Sequence, residues 1–399
     1  MSRQVEDAYI VAAVRTPVGK APRGMFRHVR PDDLLAHVLR AAVVRCPGLD
    51  AAAVDDVIVG CAMPEAEQGL NVARMGLLLA GFPDSVPGMT INRFCSSSLE
   101  AIALGANRIR LGEADVIVAA GTESMSRVPM GGNKPSFNPG IFEKSEHVAI
   151  AYGMGITAER VAQQFRVSRP DQDAFAAESH RRAVRAIDGG EFDDEIAPFR
   201  IATRLPDVTA RVVAITERVA ATDEGPRRDT SVEKLAQLKP AFAVNGSVTA
   251  GNSSQTSDGA GALVLMSDGA LRRYRVDPMA KWLGYGVAGV PPEIMGIGPI
   301  KALPLALRRA GLDAQALDWI ELNEAFAAQS LAIIRELQLD PMRVNPLGGA
   351  IALGHPLGAT GVIRASTLLH GLRRERKRYG AVTMCVGTGM GAAGVFEAM

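Results

Sequence analysis

The sequence predicts an α/β fold made of two related halves, with a separate segment inserted into the first half. Helical and strand-like patterns alternate along the chain, one stretch occurs twice, and the region between its copies has a charge-rich composition. The chain has 399 residues. That length is enough for about two or three domains.

The internal repeat is the clearest of these patterns. Residues 48–60 read GLDAAAVDDVIVG, and residues 311–323 read GLDAQALDWIELN. Each copy follows a Leu/Ala/Arg-rich stretch with helical spacing and runs into a short apolar strand. Later in each half a second strand ends in Gly-Thr, at Thr122 and at Thr388. We interpret this as a duplicated α/β unit; the alternative is chance similarity in an Ala-rich chain.

The segment between the halves differs in composition. Residues 131–141 (GGNKPSFNPGI) are rich in Gly, Pro and Asn and predict a loop, and charged residues dominate 168–239. Such a segment is either ordinary solvated surface or the place where an anionic substrate binds. We therefore predict three parts: a first half at 1–124 and 245–274, an inserted loop domain at 125–244, and a second half at 275–399.

Composition excludes several classes of protein. The chain has 44 Lys and Arg against 43 Asp and Glu, and 47% of its residues are hydrophobic. This argues against intrinsic disorder and against a dedicated nucleic-acid binder. No run approaches the roughly 18 consecutive apolar residues of a membrane span, and the N-terminus does not resemble a secretory signal. Four cysteines without a CxxC pair predict reduced thiols and no zinc site, so we expect a cytoplasmic enzyme.

Cys95 is the first candidate catalytic residue. It lies in NRFCSSSLEAIALG, where apolar spacing predicts a helix that begins at the serines, which are good N-caps. The positive end of a helix dipole lowers the pKa of a thiol, so Cys95 is expected to be a nucleophile. The alternative is a buried structural cysteine.

Three further candidates follow in the second half. His355 lies among glycines that permit tight turns and close approach to a ligand, and it is suited to be the base for a thiol. Cys385 ends an apolar run and precedes glycines whose N–H groups suit an oxyanion. Asn323 either caps the next helix or holds a water or an oxyanion. A structural histidine and a core-strand cysteine are the alternatives for the first two.

Together these segments resemble the thiolases, which are acetyl-CoA C-acyltransferases. NRFCSSS resembles the family's nucleophile segment, and NEAFA, GGAIALGHPLGATG and CVGTGMGAA resemble its later active-site segments in the same order. SVTAGNSSQTSDGAGALVLM resembles its coenzyme A-binding segment. The resemblance covers nearly the whole chain and is strongest to the degradative 3-ketoacyl-CoA thiolases. It implies the thiolase fold, in which two α/β halves form five layers, αβαβα, and the inserted domain covers coenzyme A.

The resemblance also implies a mechanism, the reverse Claisen cleavage of a 3-ketoacyl-CoA in fatty acid β-oxidation. Cys95 is acylated after His355 takes its proton, and Cys385 protonates the departing enolate. A water held by Asn323 binds the enolate oxygen together with the histidine, and the N–H groups of Cys95 and Gly387 bind the second oxyanion. Coenzyme A is a co-substrate, and no metal or permanently bound cofactor is implied.

Substrate-binding residues are implied in the same way. Arg227 would contact the nucleotide end of coenzyme A and Ser254 its pantetheine arm, while Met154, Phe242 and Phe326 would line the tunnel. A solvated arginine, a loop serine and core apolar residues are the ordinary alternatives.

One position departs from the biosynthetic acetoacetyl-CoA thiolases, which have a histidine before a Met-Gly pair where this chain has Gly153. The departure favours a longer acyl chain. The alternatives are a biosynthetic thiolase and a non-catalytic acyl-CoA-binding protein on the same scaffold. A homodimer or homotetramer is expected, and the sequence does not indicate whether a hydratase–dehydrogenase partner exists.

Overall fold

The computed structural model describes residues 5–207 and 211–399 and has the expected α/β architecture. Its strands are β1 (Ala8–Arg15), β2 (Gly19–Lys20), β3 (Asp56–Gly60), β4 (Gly88–Ile91), β5 (Val116–Ser124), β6 (Phe199–Asp207), β7 (Val212–Ala220), β8 (Ser257–Ser267), β9 (Ala280–Gly289), β10 (Trp319–Leu322), β11 (Tyr379–Val386) and β12 (Met390–Ala398). Its α-helices are α1 (Pro31–Val44), α2 (Val72–Leu79), α3 (Ser97–Arg110), α4 (Met154–Gln164), α5 (Arg169–Asp188), α6 (Val232–Ala236), α7 (Asp268–Tyr274), α8 (Gly298–Ala310), α9 (Ala327–Glu336), α10 (Ala350–Leu353) and α11 (Thr360–Arg374).

The strands outside the insertion form a large sheet whose two halves meet at a short junction. The N-terminal half runs in the order β1-β8-β5-β3-β4, and the C-terminal half in the order β9-β12-β11-β10. The junction pairs Tyr9 with Lys281 and Ile10 with Ala280. Strands β3 and β5 are parallel, as are β10 and β11, with a crossover helix in each half. The halves therefore have matching topology.

The repeated sequence has the same local structure in both copies. The Asp50 carboxylate caps a 3₁₀ turn by accepting the N–H of Ala52 at 2.9 Å. The Asp313 carboxylate caps the equivalent turn by accepting the N–H of Ala316 at 3.0 Å. The two turns lead into β3 and β10, so the predicted duplication is confirmed.

The helices form layers on and between the sheet halves. Helices α1 and α2 cover the outer face of the N-terminal half, and α8 covers the outer face of the C-terminal half. Helices α3 and α11 lie in the middle and contact strands of both halves. This is the expected αβαβα arrangement. Within the described ranges, the structure has no helix with the length and apolar character of a membrane span.

The two central helices approach each other closely because a glycine lies where they cross. A Cβ atom added to Gly361 of α11 would lie 2.2 Å from the backbone nitrogen of Leu99 in α3. The Ser98 hydroxyl accepts the N–H of Val362 at 3.0 Å across the same contact. The N-terminal ends of α3 and α11 are therefore held side by side, together with the segments that precede them.

A buried ion-pair cluster attaches the inserted segment to the N-terminal half. Arg15 of β1 donates to Glu195 at 2.5 Å and to Asp223 at 2.7 and 3.0 Å, and all three side chains are buried. Strand β8, which follows the insertion, pairs with β1 and β5. We propose that the folded chain has the three parts predicted from the sequence. They are a first half at 1–124 and 245–274, an inserted loop domain at 125–244, and a second half at 275–399.

We predict that Gly361→Ala lowers the free energy of unfolding by about 2 kcal/mol or more, because overpacking typically costs about 1–3 kcal/mol. The added methyl group would meet the Leu99 backbone, which cannot rotate away. The matched control is Gly269→Ala in α7, where the nearest atom to an added Cβ is 3.6 Å away. Urea denaturation of the variants measures the difference. A Gly361→Ala protein as stable as the control would contradict the close helix contact.

Candidate active site

Cys95 lies in a strand-to-helix turn, as predicted. After β4, a 3₁₀ turn at Phe94–Ser96 contains Cys95 and leads directly into α3. Phe94 has a φ of +43°, in the left-handed region that is strained for a bulky residue. Its N–H donates to the Asn92 carboxamide oxygen at 2.7 Å, which holds the turn.

The serines after Cys95 do not cap α3 with their side chains, so that prediction is wrong. Ser96 occupies the N-cap position, but its hydroxyl donates to the Arg93 carbonyl at 3.1 Å instead. The Ser97 hydroxyl accepts the Arg93 N–H at 2.8 Å and donates to the Phe94 carbonyl at 2.7 Å. These two hydroxyls therefore stabilise the strained turn.

Burial dominates the acidity of Cys95. Although the residue keeps some exposed surface, burial of the thiol raises its pKa to about 12. The backbone N–H groups of Gly387 and of Cys95 itself lower this pKa, and the neighbouring Glu123 carboxylate raises it. Desolvation outweighs these N–H groups, so the expectation that the pKa of Cys95 lies below its ordinary value is wrong. The resting thiol is protonated and needs a base.

His355 is held in one orientation in the loop between α10 and α11. Gly354, with a φ of +94°, allows the sharp turn before it. The imidazole Nδ1 lies 2.6 Å from the Thr360 hydroxyl, which donates to the Pro356 carbonyl at 3.2 Å. This network assigns the proton to Nδ1 and leaves the lone pair on Nε2. Burial lowers the pKa of His355 to about 3, and Arg364 lowers it too, so the ring is uncharged at neutral pH.

Asn323 follows β10 and lies beside His355. Its carboxamide Nδ2 is 3.4 Å from the imidazole Nε2. Its Oδ1 is buried and has no hydrogen-bond partner among the described residues. Helix α9 begins only at Ala327, with Phe326 as its N-cap residue, so the helix-capping alternative for Asn323 is wrong. A buried, unpaired amide oxygen is suited to bind a water or a ligand.

Cys385 lies near the end of β11, where the following turn brings Gly387 against Cys95. Thr388 and Gly389 form this turn with φ values of +64° and +91°. Gly387 lies beside Phe94, the residue before Cys95, and its N–H lowers the pKa of the Cys95 thiol. Backbone N–H groups at this position can stabilise a negative oxygen on a carbon bonded to the sulfur.

The second thiol is buried close to the first. Burial raises the pKa of Cys385, and the neighbouring Cys95 raises it further. Cys385 packs in one apolar cluster with Met154 and Phe326. The Asn323 N–H donates to the Thr383 carbonyl of β11 at 2.9 Å, so the Asn323–His355 pair lies beside the strand that carries Cys385. Two thiols, an imidazole and a carboxamide thus lie in one region, with Cys95 from the first half and the others from the second.

The apolar residues expected to line the tunnel continue outward from Cys385. The Phe242 ring packs edge-on against Phe326 with 6.0 Å between ring centroids. Phe242 is 41% exposed, whereas Phe326 is buried, so Phe242 lies at the outer end of this apolar path. Met154 lies near the inner end, with its sulfur 3.8 Å from where a Cβ on Gly387 would be.

Arg227 and Ser254 lie farther along this side of the molecule. Arg227 lines a cavity of about 140 Å³ together with His180 and Ser253, and its backbone N–H donates to His180 Nδ1 at 3.1 Å. The Ser254 N–H donates to the Ala325 carbonyl at 2.9 Å, which places it next to the apolar path. A larger cavity of about 250 Å³ lies elsewhere, between α5 and α9, and contains none of the predicted site residues.

Several polar residues at the site were not predicted. Thr360 orients the His355 ring, and the Ser257 hydroxyl accepts the His355 N–H at 3.0 Å. Glu123 is buried at the end of β5, and a charged residue directly after an apolar strand is a signal that could have identified it. Thr360 and Ser257 have no comparable signal in the sequence. In the described ranges, no group of three or more His, Cys, Asp or Glu side chains could hold a metal ion.

Family comparisons cover nearly the whole chain. The thiolase N-terminal domain family matches residues 8–269, and the thiolase C-terminal domain family matches residues 276–398. The chain is 49% identical to the 3-ketoacyl-CoA thiolase of Bacillus subtilis, covering 98% of this chain and 100% of the relative. It is 47% identical to the beta-ketoadipyl-CoA thiolase of Pseudomonas aeruginosa, with 100% of both chains covered.

A plant protein and a solved structure extend these similarities. The chain is 46% identical to the peroxisomal 3-ketoacyl-CoA thiolase 5 of Arabidopsis thaliana, covering 98% of this chain and 85% of that one. The crystal structure of the Bacillus anthracis acetyl-CoA acetyltransferase matches with a TM-score of 0.90 and 40% identity, over 100% of both chains. The chain belongs to the thiolase family.

Proposed function

We propose that this chain is a 3-ketoacyl-CoA thiolase of fatty acid β-oxidation. It uses coenzyme A as a co-substrate to cleave a 3-ketoacyl-CoA into acetyl-CoA and an acyl-CoA shortened by one acetyl unit. The observation that carries the proposal is the meeting of Cys95, His355, Asn323 and Cys385 at one buried site. The names of the Bacillus and Arabidopsis relatives support the substrate class. The proposed chemistry needs no bound cofactor.

In the first half-reaction the Cys95 sulfur attacks the 3-keto carbon of the substrate. His355 takes the thiol proton on Nε2, so the attacking group is a thiolate although the resting thiol is protonated. Negative charge moves to the former keto oxygen, where the N–H groups of Cys95 and Gly387 stabilise it. Losing one such donor typically costs about 2.7–4 kcal/mol of barrier.

Breakage of the carbon–carbon bond then leaves an acyl group on Cys95 and releases the enolate of acetyl-CoA. The protonated His355 and a water that donates to Asn323 Oδ1 bind the enolate oxygen. The Cys385 thiol protonates the enolate carbon, and its raised pKa keeps the proton available until this step.

Free coenzyme A completes the cycle. The Cys385 thiolate takes the proton of the coenzyme A thiol, which attacks the carbonyl carbon of the acyl-enzyme. The acyl group leaves as a shortened acyl-CoA, and the released Cys95 thiolate recovers its proton from His355. Every proton taken up is returned, so the enzyme ends in its starting state.

We assign coenzyme A to the path that runs from Cys385 to Arg227. The Arg227 guanidinium suits the phosphate-bearing nucleotide end. Ser254 would contact the pantetheine arm, and Met154, Phe242 and Phe326 would pack against its apolar part. The cavity at Arg227 and the apolar cluster at Cys385 support this direction of binding.

The nearest alternative is a biosynthetic enzyme that condenses two acetyl-CoA, which the similarity to an acetyl-CoA acetyltransferase keeps open. Gly153 favours the degradative proposal, because it is exposed and a Cβ added there would have no atom within 4 Å, so no side chain at this position limits the length of an acyl chain. The non-catalytic alternative is disfavoured because Cys95, His355, Asn323 and Cys385 are all present.

We propose that the chain forms a homodimer through β4, with a homotetramer as the alternative. Strand β4 is the outermost strand of the N-terminal half-sheet, and exposed edge strands are commonly covered. Large apolar surfaces that a second copy of the chain can bury are exposed before β4, at Leu70, Met75, Leu78 and Leu79.

The four free cysteines fit a reducing compartment, so we propose the cytoplasm as the location of the protein.

We predict that Cys95→Ser lowers kcat by at least about 1,000-fold with little change in stability, because a serine hydroxyl is far less nucleophilic than a thiolate. The assay measures the cleavage of a 3-ketoacyl-CoA in the presence of coenzyme A. Cys46→Ser is the matched control, since Cys46 is a buried cysteine just after α1, in an apolar cluster that contains none of the site residues. Turnover by Cys95→Ser near the wild-type rate would rule out Cys95 as the nucleophile.

We predict that kcat/KM is higher for a medium-chain 3-ketoacyl-CoA than for acetoacetyl-CoA. Gly153→His fills the open space and should lower kcat/KM for the longer substrate by about tenfold, which is the scale of one misplaced apolar contact. Gly153→Ala is the control, because its methyl group meets no atom. A higher kcat/KM of the wild-type enzyme for acetoacetyl-CoA would favour the biosynthetic alternative. The same assay with 3-ketoadipyl-CoA tests the substrate named for the Pseudomonas relative.

A further inference from the structure

We propose that Glu123, a buried carboxylate at the end of β5, is a positioning residue that fixes the loop carrying His355 relative to the turn carrying Cys95. The inference rests on the proposed thiolase function and concerns a group to which the mechanism above gives no role. It follows from the hydrogen bonds that this carboxylate makes to both halves of the molecule.

Both oxygens of Glu123 accept hydrogen bonds. Its Oε2 accepts the Ala62 N–H at 2.7 Å and the Gly358 N–H at 2.8 Å. Its Oε1 accepts the Met63 N–H at 3.2 Å and the Gln68 carboxamide N–H at 2.7 Å. The residue is 0% exposed, so these donors replace the water that a carboxylate would otherwise require.

The oxygen Oε2 bridges the two halves. Ala62 belongs to the loop after β3 in the first half, whereas Gly358 belongs to the second half. The approach needs a glycine, because a Cβ on Gly358 would lie 2.6 Å from the Ala62 nitrogen and 2.8 Å from Glu123 Oε2. A carboxylate that only stabilised the first half would have no reason to contact Gly358.

On the side of the second half, the bridge reaches the proposed base. Gly358 lies in the 3₁₀ turn Leu357–Ala359, three residues after His355 and two before Thr360. Thr360 is the residue whose hydroxyl bonds the His355 ring at 2.6 Å. Fixing Gly358 therefore fixes the short segment that sets both the position and the orientation of the imidazole.

On the side of the first half, the bridge reaches the proposed nucleophile. The Ala62 carbonyl accepts the Asn92 carboxamide N–H at 3.0 Å. The same carboxamide accepts the N–H of Phe94, the residue directly before Cys95, at 2.7 Å. Glu123 is thus connected to the turn that carries Cys95 through the backbone of Ala62 and the side chain of Asn92.

The charge of Glu123 also faces the thiols around it. The titratable groups that it influences are Cys61, whose sulfur lies 3.8 Å from Oε1, and Cys95, and it raises the pKa of both. A carboxylate in this place makes Cys95 harder to ionise, so its contribution to the reaction must come from geometry. A displacement of about 1 Å between reacting groups can cost about 100-fold in rate.

Glu123→Gln tests the proposal, because it keeps the shape of the side chain but turns one acceptor oxygen into an NH₂ group that faces backbone N–H donors. We expect kcat to fall about 100-fold while KM for the acyl-CoA and for coenzyme A stays within about threefold. Glu123→Asp keeps the charge with a shorter reach and should recover part of kcat. Single-turnover acylation should slow as much as kcat does.

Asp56→Asn is the matched control, since Asp56 begins β3, the strand whose far end leads to Ala62, and its carboxylate bonds Val57 and Arg108. It should lower the melting temperature without changing kcat. If Glu123→Gln is destabilised like this control but keeps wild-type kcat, or if only KM rises, the positioning role is wrong. An inactive wild-type enzyme would instead refute the proposed function.

A second variant covers the case in which Glu123→Gln does not fold. Gln68→Met removes one donor to Oε1, together with the Gln68 bonds to the Met63 carbonyl and the Ser124 N–H, and leaves the backbone bonds of Glu123 in place. We expect kcat to fall about tenfold at nearly unchanged KM, which is the scale of one lost hydrogen bond to a charged group. A folded Gln68→Met enzyme with wild-type kcat would overturn the proposal.

Discussion

The close contact between α3 and α11 is the constraint on which the rest of the structure depends. Gly361 lets the backbone of α11 approach Leu99 of α3, and neither helix can move outward without opening the core between the two half-sheets. Cys95 directly precedes α3, and His355 lies just before α11. A packing requirement at the centre of the molecule therefore decides the position of the nucleophile and the base. Equivalent helices of the two similar halves meet there.

The same burial that stabilises the centre sets the chemistry of the site. It raises the pKa of Cys95 and Cys385 and lowers the pKa of His355, so all three groups are uncharged in the resting enzyme. The proposed reaction consequently moves protons between neutral groups and does not start from a preformed thiolate–imidazolium pair. Fixed dipoles, from the Gly387 N–H and the Asn323 carboxamide, then meet the charges as they develop.

Periodicity and repetition predicted the duplicated α/β unit, because Asp50 and Asp313 begin the same turn and strand in both halves. The five-layer arrangement was implied by the family resemblance. The site residues came from glycine-rich segments and from the family resemblance. The acidity of Cys95 was predicted in the wrong direction, since a sequence does not show how deeply a thiol is buried. Glu123 was missed because its partners come from distant segments that only the folded chain brings together.

The central claim is that Cys95 carries the acyl group during turnover. The most direct measurement is peptide mass spectrometry of the enzyme mixed with a 3-ketoacyl-CoA in the absence of free coenzyme A and quenched in acid. We predict the mass of the shortened acyl group on the peptide that contains Cys95, and its loss when coenzyme A is added before the quench. An acyl group found on Cys385 instead, or steady turnover with no acylated Cys95, would contradict the claim.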